Sequence, residues 1–203
     1  PLTLDVKIMM LDDYTEVWMA PSDSSMMPDC IPLMYGVVMR FAYDVGLFVV
    51  YKNSGKIVHT VKGSKLECDV SIVDNKLIYS KFNGTVSCVD LKSNKKLWSK
   101  DVGESSGFGV TKDGNDVILP SWSAQLFKVD LNTGKETWKI DMEEVKNGCG
   151  SGFEEAPVIV GDNFFAPHRD EGFFAFNKDS GELVENIELG SEQRVYAASY
   201  LYK

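Results

Sequence analysis

The chain has 203 residues, a formal net charge of −9, 44% apolar residues and 25% charged ones. That size and balance suit one globular core or one closed repeat array. The excess of acid excludes a general nucleic-acid binder, because the mean field would repel a phosphate backbone. No apolar run approaches the roughly 20 residues a membrane-spanning helix needs. The opening Pro-Leu-Thr-Leu-Asp-Val-Lys has no basic segment leading into an apolar one. The expectation is therefore a cytoplasmic protein, with a periplasmic or secreted one after loss of a signal peptide as the alternative.

Taken from the N-terminus, residues 7–18 read strand, polar turn, strand, and end on Trp18. Residues 47–59 repeat the plan around Gly55 and end on His59, and residues 86–98 repeat it around Asn94 and end on Trp98. Residues 126–138, Leu-Phe-Lys-Val-Asp-Leu-Asn-Thr-Gly-Lys-Glu-Thr-Trp, turn at Gly134 and end on Trp138; residues 173–185 turn at Gly181 and end on Glu185. Gly and Asn at the turn suit a positive φ. The turn positions 55, 94, 134 and 181 stand 39, 40 and 47 residues apart.

A period near 40 with four strands per unit marks propeller blades. Strands are expected at 68–73, 76–81, 86–91 and 96–102; at 107–111, 116–121, 126–131 and 136–142; and at 155–160, 163–168, 173–177 and 183–189. No segment shows a helical period. The fold expected is all-β: one β-propeller domain over 1–203 with five four-stranded blades. Residues 1–20 supply only two strands, so the tail, 191–203, pairs with them to close the ring and remove two exposed edges. The remaining blades fall at 28–63, 64–103, 104–143 and 152–190.

Cysteines stand at 30, 68, 88 and 149 with no Cys-x-x-Cys pair. Zinc sites use close ligand pairs, so no metal is expected. Free, half-buried thiols in strands are the simpler reading, with disulfides open to an oxidising compartment.

Residues 129–138, Val-Asp-Leu-Asn-Thr-Gly-Lys-Glu-Thr-Trp, resemble the PQQ-like (quinoprotein-type) repeat, and residues 89–98 are a second copy. His59 and Glu185 depart from the Trp, and the first unit lacks the Gly. The resemblance implies that Trp18, Trp98 and Trp138 dock one blade on the next. Family members include quinone-dependent dehydrogenases and non-catalytic scaffolds of outer-membrane protein assembly. The dehydrogenases are far longer and carry a calcium site, a catalytic Asp and often a vicinal disulfide. This sequence has no adjacent cysteines, so no cofactor and no catalytic residue are expected. Opposed carboxylates of a glycosidase could be sought among Asp44, Glu154, Glu155 and Asp170, but 30 acidic residues bring some together by chance.

Counting strands puts the turns at 55, 94, 134 and 181 at one end. The loops holding Asp44, Lys81, Trp122 and His168-Arg169-Asp170 lie at the other, with the links 103–108 and 143–155. Irregular loops grouped on a rigid scaffold are where binding sits. Ser-Gly-Phe recurs at 106–108 and 151–153. Glycine there allows close backbone approach, and Phe108 and Phe153 are either flat contacts at the channel mouth or core residues of tight entry turns. Arg169 could hold a carboxylate or phosphate or a local ion pair, Trp122 could stack on a ring, and Arg194 could reach the same mouth. The functional expectation is a non-enzymatic scaffold presenting this face to a protein, with small-ligand binding at the channel mouth as the alternative.

Overall fold

The computed structural model describes residues 6–11, 14–19, 29–32, 37–40, 47–50, 57–61, 70–81, 83–104, 109–147, 149, 152–153 and 155–188. For 6–50 and 57–58 the description is of the backbone and of the burial of Val49. The chain falls into two compact units, Pro1–Leu66 with Leu91–Asn94, and Glu67–Asp90 with Lys95–Lys203.

In the first unit β1 (Val6–Leu11) and β2 (Tyr14–Met19) form a hairpin with Leu11 opposite Tyr14. Strands β3 (Asp29–Pro32), β4 (Val37–Arg40), β5 (Leu47–Val50) and β6 (Ile57–Val61) form an antiparallel sheet in chain order. The His59 Nδ1 and Asn94 Oδ1 atoms share a hydrogen bond.

The second unit holds three further sheets of the same order. They are β7 (Ser71–Val73), β8 (Lys76–Ser80), β9 (Thr85–Asp90) and β10 (Lys95–Asp101); β11 (Thr111–Asp113), β12 (Asp116–Pro120), β13 (Gln125–Asp130) and β14 (Glu136–Asp141); and β15 (Val158–Val160), β16 (Asn163–His168), β17 (Gly172–Asn177) and β18 (Leu183–Ile187).

The central strands β8, β12, β16 and β17 hold unbroken apolar runs, interrupted in β9 by Ser87 and in β13 by Lys128, because both faces are covered. Val117, Leu119, Phe127 and Val129 pack with Ile78, Val86, Cys88 and Trp98 of the preceding sheet. The alternate residues Ile118, Leu126 and Ile140 pack with Phe164, Ala166, Phe174 and Phe176 of the next. A side-chain period of two therefore serves two cores at once.

The recurring turn has a local cause. Asp130 Oδ1 accepts from the N–H groups of Asn132 (3.0 Å) and Thr133 (2.7 Å) and from the Thr133 hydroxyl (2.8 Å). Asn177 does the same for Asp179 and Ser180. Gly134 follows at φ 71°, and a Cβ there would lie 2.7 Å from Trp98 Cγ. Trp98 Nε1 donates to the Leu131 carbonyl at 2.9 Å, and Trp138 Nε1 donates to the Lys178 carbonyl at 3.1 Å. Each indole thus reaches from its own sheet to the turn of the next. The side chain of Trp18 lies outside the description.

A feature the sequence did not suggest recurs in all four four-stranded sheets: a register shift between the third and fourth strands. Leu97, Thr137, Val184 and Val58 are skipped, immediately before Trp98, Trp138, Glu185 and His59. A bulge rotates the strand and re-aims the residue after it, here toward the neighbouring sheet in the case of both Trp residues.

Two expectations need correction. The inner strands β7, β11 and β15 are three residues long and begin later than expected, β11 starting where the expected strand ended. The backbone ahead of β11 is used sideways instead: Val110 N–H donates to Ser71 Oγ at 2.9 Å. A helical turn, α1 (Met142–Val145), exists where none was expected. Asp141 caps it by accepting from the Glu143 N–H, and a single turn is too short to show a period. The expected closing strand, 191–203, lies outside the described residues.

Candidate binding surface

The loops at one end of the second unit are stitched together by hydrogen bonds within and between successive sheets. Val102 N–H donates to the Gly84 carbonyl at 3.0 Å. The Ser121 and Ser123 hydroxyls donate to the Val102 carbonyl at 2.8 and 3.1 Å. Phe153 N–H donates to the Ser121 carbonyl, and Arg169 N–H to the Gly152 carbonyl, each at 3.2 Å.

Trp122 stands in the middle of this frame. Ser121 and Ser123 fix its two ends, and the Gly152 backbone presses on its own, so that a Cβ at 152 would collide with Trp122 backbone atoms. The indole is 42% exposed, and the Arg169 guanidinium lies 5.7 Å from its ring centroid. An indole face attracts a cation at this distance. Two loops from different sheets thus present an aromatic surface and a guanidinium side by side.

Beneath them the link between β14 and β15 is anchored on the last sheet. Lys146 pairs with Glu171 and with Glu188 (3.2 Å). The hydrogen bond that Lys146 donates to Glu171 raises its ammonium above the ordinary pKa; burial opposes this, and the bond to Glu188 adds to the rise. Cys149 Sγ lies 3.1 Å from His168 Nε2. Burial, then the charge of Glu171, pushes the Cys149 thiol up to about 11, so the sulfur in this contact is a thiol, not a thiolate.

The sequence-derived candidates fall in different places. Trp122 and Arg169 come together, and Asp170 is exposed beside them. Lys81 is half-buried in the β8–β9 loop, its carbonyl accepting from Gly84 N–H at 2.9 Å. His168 is fully buried, not a surface group: its ring meets Phe153 and Phe174 edge-on at 5.3 and 5.7 Å. Phe153 is equally buried, in the core of the entry turn. Of the glycosidase candidates, Glu155 is half-buried. Asp44, Phe108, Glu154 and Arg194 lie outside the described residues. Ser121, Ser123 and Cys149 were not singled out for this frame by sequence; the Ser-Trp-Ser order was the available signal.

At the opposite end Lys128 is buried, a feature sequence reading passed over. Its Nζ reaches Asp113 Oδ2 at 2.6 Å and donates to the Lys178 carbonyl at 2.9 Å. Asp116 and Asp179 each stand at 3.8 Å. Burial alone would raise the Asp113 carboxyl, but the hydrogen bond and charge of Lys128, then those of Lys178, hold it below the usual carboxylate range. Among the described residues no three His, Cys, Asp or Glu side chains are grouped to hold a metal.

The model of the PQQ-like family described as "Outer membrane protein assembly factor BamB" matches residues 62–140 and 82–195. The chain belongs to this family. The outer membrane protein assembly factor BamB of Moranella endobia (strain PCIT) is 25% identical over 118 residues, which cover 52% of this chain and 28% of that protein. BamB from Moraxella catarrhalis has a TM-score of 0.68 and 18% identity over 86% of this chain and 52% of that one. The computationally designed Ika8 protein has a TM-score of 0.73 and 16% identity over 98% of this chain and 62% of that one. The chain therefore spans 28% of the curated relative and 52% and 62% of the two solved chains. The likeness to solved structures is one of fold.

These matches overturn the cytoplasmic expectation. The family model and the curated relative are named for outer membrane protein assembly, which points to the periplasm rather than the cytoplasm. The cytoplasmic reading rested on the character of seven residues at the start of the sequence, and those carry no information about compartment.

Proposed function

We propose that the chain is a non-catalytic protein-interaction scaffold whose working face is the loop end carrying Trp122 and Arg169. Its partner is a protein of outer-membrane assembly, by analogy with the relatives named for that process. The observation that carries the reading is the rigid presentation of an exposed indole against a guanidinium. Trp and Arg dominate the energetics of protein interfaces. A loop whose main chain is already held by Ser121, Ser123 and Gly152 loses little freedom on binding, which favours affinity. Asp170 and Lys81 belong to the rim of the same face in this reading.

The ring that frames this face is proposed as five blades in one domain, with 191–203 pairing to β1 and β2. Deletion of residues 1–20 is then expected to unfold or aggregate the protein. A shortened chain that stays soluble and melts like the parent refutes that closure.

The function is tested by purifying the protein gently from its own host and weighing the complexes by native mass spectrometry. Trp122→Ala and Arg169→Ala are each expected to lose a co-purifying protein while keeping the parent's melting temperature. Complexes retained at parental levels in both variants contradict the loop end as the working face.

A further inference from the structure

We propose that strand β18 is a second docking site, taking an extended segment of a partner protein that pairs antiparallel with its outer edge and carries Lys or Arg between aliphatic residues. The site is separate from the loop end, and its success or failure does not depend on Trp122.

The outer strands of the three sheets in the second unit differ in how they meet solvent. A sheet edge exposes unpaired N–H and C=O groups, and proteins blunt such edges with charge. Strand β10 carries Lys95, Lys96 and Lys100, and β14 carries Glu136 and Lys139. Lys100 and Glu136 are themselves paired at 2.7 Å. Strand β18 lacks a basic residue. Leu183, Val184 and Ile187 are 44%, 55% and 42% exposed, half of the large apolar residues exposed in the described part of the chain. Among the described strands β18 is hydrogen-bonded to β17 alone.

Charge completes the description. Where β10 and β14 place Trp98 and Trp138 after the bulge, β18 places Glu185, opposite Ala175. Glu182 and Glu188 flank it at three-residue spacing, and all three are exposed. Lys146 engages Glu188, and the Ser180 hydroxyl lies 3.4 Å from Glu182. The edge therefore offers main-chain hydrogen bonds, aliphatic contacts and carboxylates with no cation in the strand. A strand added to such an edge gains affinity from the backbone and selectivity from alternate side chains. The complementary strand is aliphatic and basic.

The probes are acetylated, amidated heptapeptides: one alternating Lys and Val, one alternating Glu and Val, and a Lys–Val peptide N-methylated at alternate residues. Residue-resolved amide exchange is followed on the whole chain. The Lys–Val peptide is expected to slow exchange of the outward amides of β18 by about tenfold or more. The Glu–Val and N-methylated peptides are expected to leave them unchanged. Glu185→Lys, checked for a parental melt, is expected to abolish the protection, and Trp122→Ala to preserve it. Protection confined to other residues, equal protection by the Glu–Val or N-methylated peptide, or no protection at all overturns the proposal.

Discussion

The Gly152 main chain lies directly on the Trp122 main chain, with no room for a methyl group between them. The link from one sheet thereby fixes the loop of another. Gly152→Ala must push two backbones apart, and overpacking of this kind costs about 1–3 kcal/mol. Denaturant titration is expected to show that loss, together with a changed Trp emission that is absent in a Trp122→Phe background. A parental midpoint would show that the contact is not tight.

The two docking indoles differ in burial, and their removal is expected to differ with it. Trp98→Phe leaves the buried Leu131 carbonyl with only the weak Cys88 Sγ donor at 3.7 Å, a loss of about 1 kcal/mol or more. Trp138 is half-buried, and Trp138→Phe is expected to cost less, because the Lys178 carbonyl still accepts from Lys128 Nζ at 2.9 Å. Equilibrium unfolding of both variants checks the order, and a larger loss for Trp138 contradicts it.

Asp113 links stability to acid. Its pKa in the folded chain is lowered, after burial is outweighed by Lys128 and Lys178. A lowered carboxylate stabilises the fold fully above its unfolded value of about 3.9 and loses that contribution as pH falls through the folded value. Asp113→Asn is expected to lower stability near neutrality and to flatten the fall in stability below about pH 4. Parallel pH profiles for variant and parent would contradict the role given to the Lys128 cluster.

The thiols of Cys88 and Cys149 are buried and free of disulfides. Burial pushes them up to about 12 and about 11, and the thiolate is the reactive form. Iodoacetamide at pH 8 is expected to leave both unmodified in the folded protein and to label both in denaturant, as read by peptide mass spectrometry. Labelling of Cys149 under native conditions would mean that the β14–β15 link opens readily.

The turns at Asn94, Gly134 and Gly181 were legible because their chemistry is local: an Asp or Asn accepts from the next residues and a Gly or Asn takes the positive φ. The nearness of Trp122 and Arg169 follows from strand alternation, which sends both loops to one end. The bulges at Leu97, Thr137 and Val184 were not legible, since ordinary strand residues fill them. Nor was Lys128, whose burial depends on carboxylates from two other turns. His168 looked like a loop residue because it ends β16. Its burial comes from Cys149 and Phe153 of a link whose path the sequence does not reveal.

The most direct test of the scaffold reading is site-specific photocrosslinking in the native host, with a benzoylphenylalanine at position 170, on the rim beside Trp122 and Arg169, or at position 132, in the turn at the opposite end. A protein adduct of one defined mass, formed from 170 and lost when Trp122→Ala is added, is the expected result. Adducts formed equally from 132, or none from 170, would contradict the loop end as the binding face.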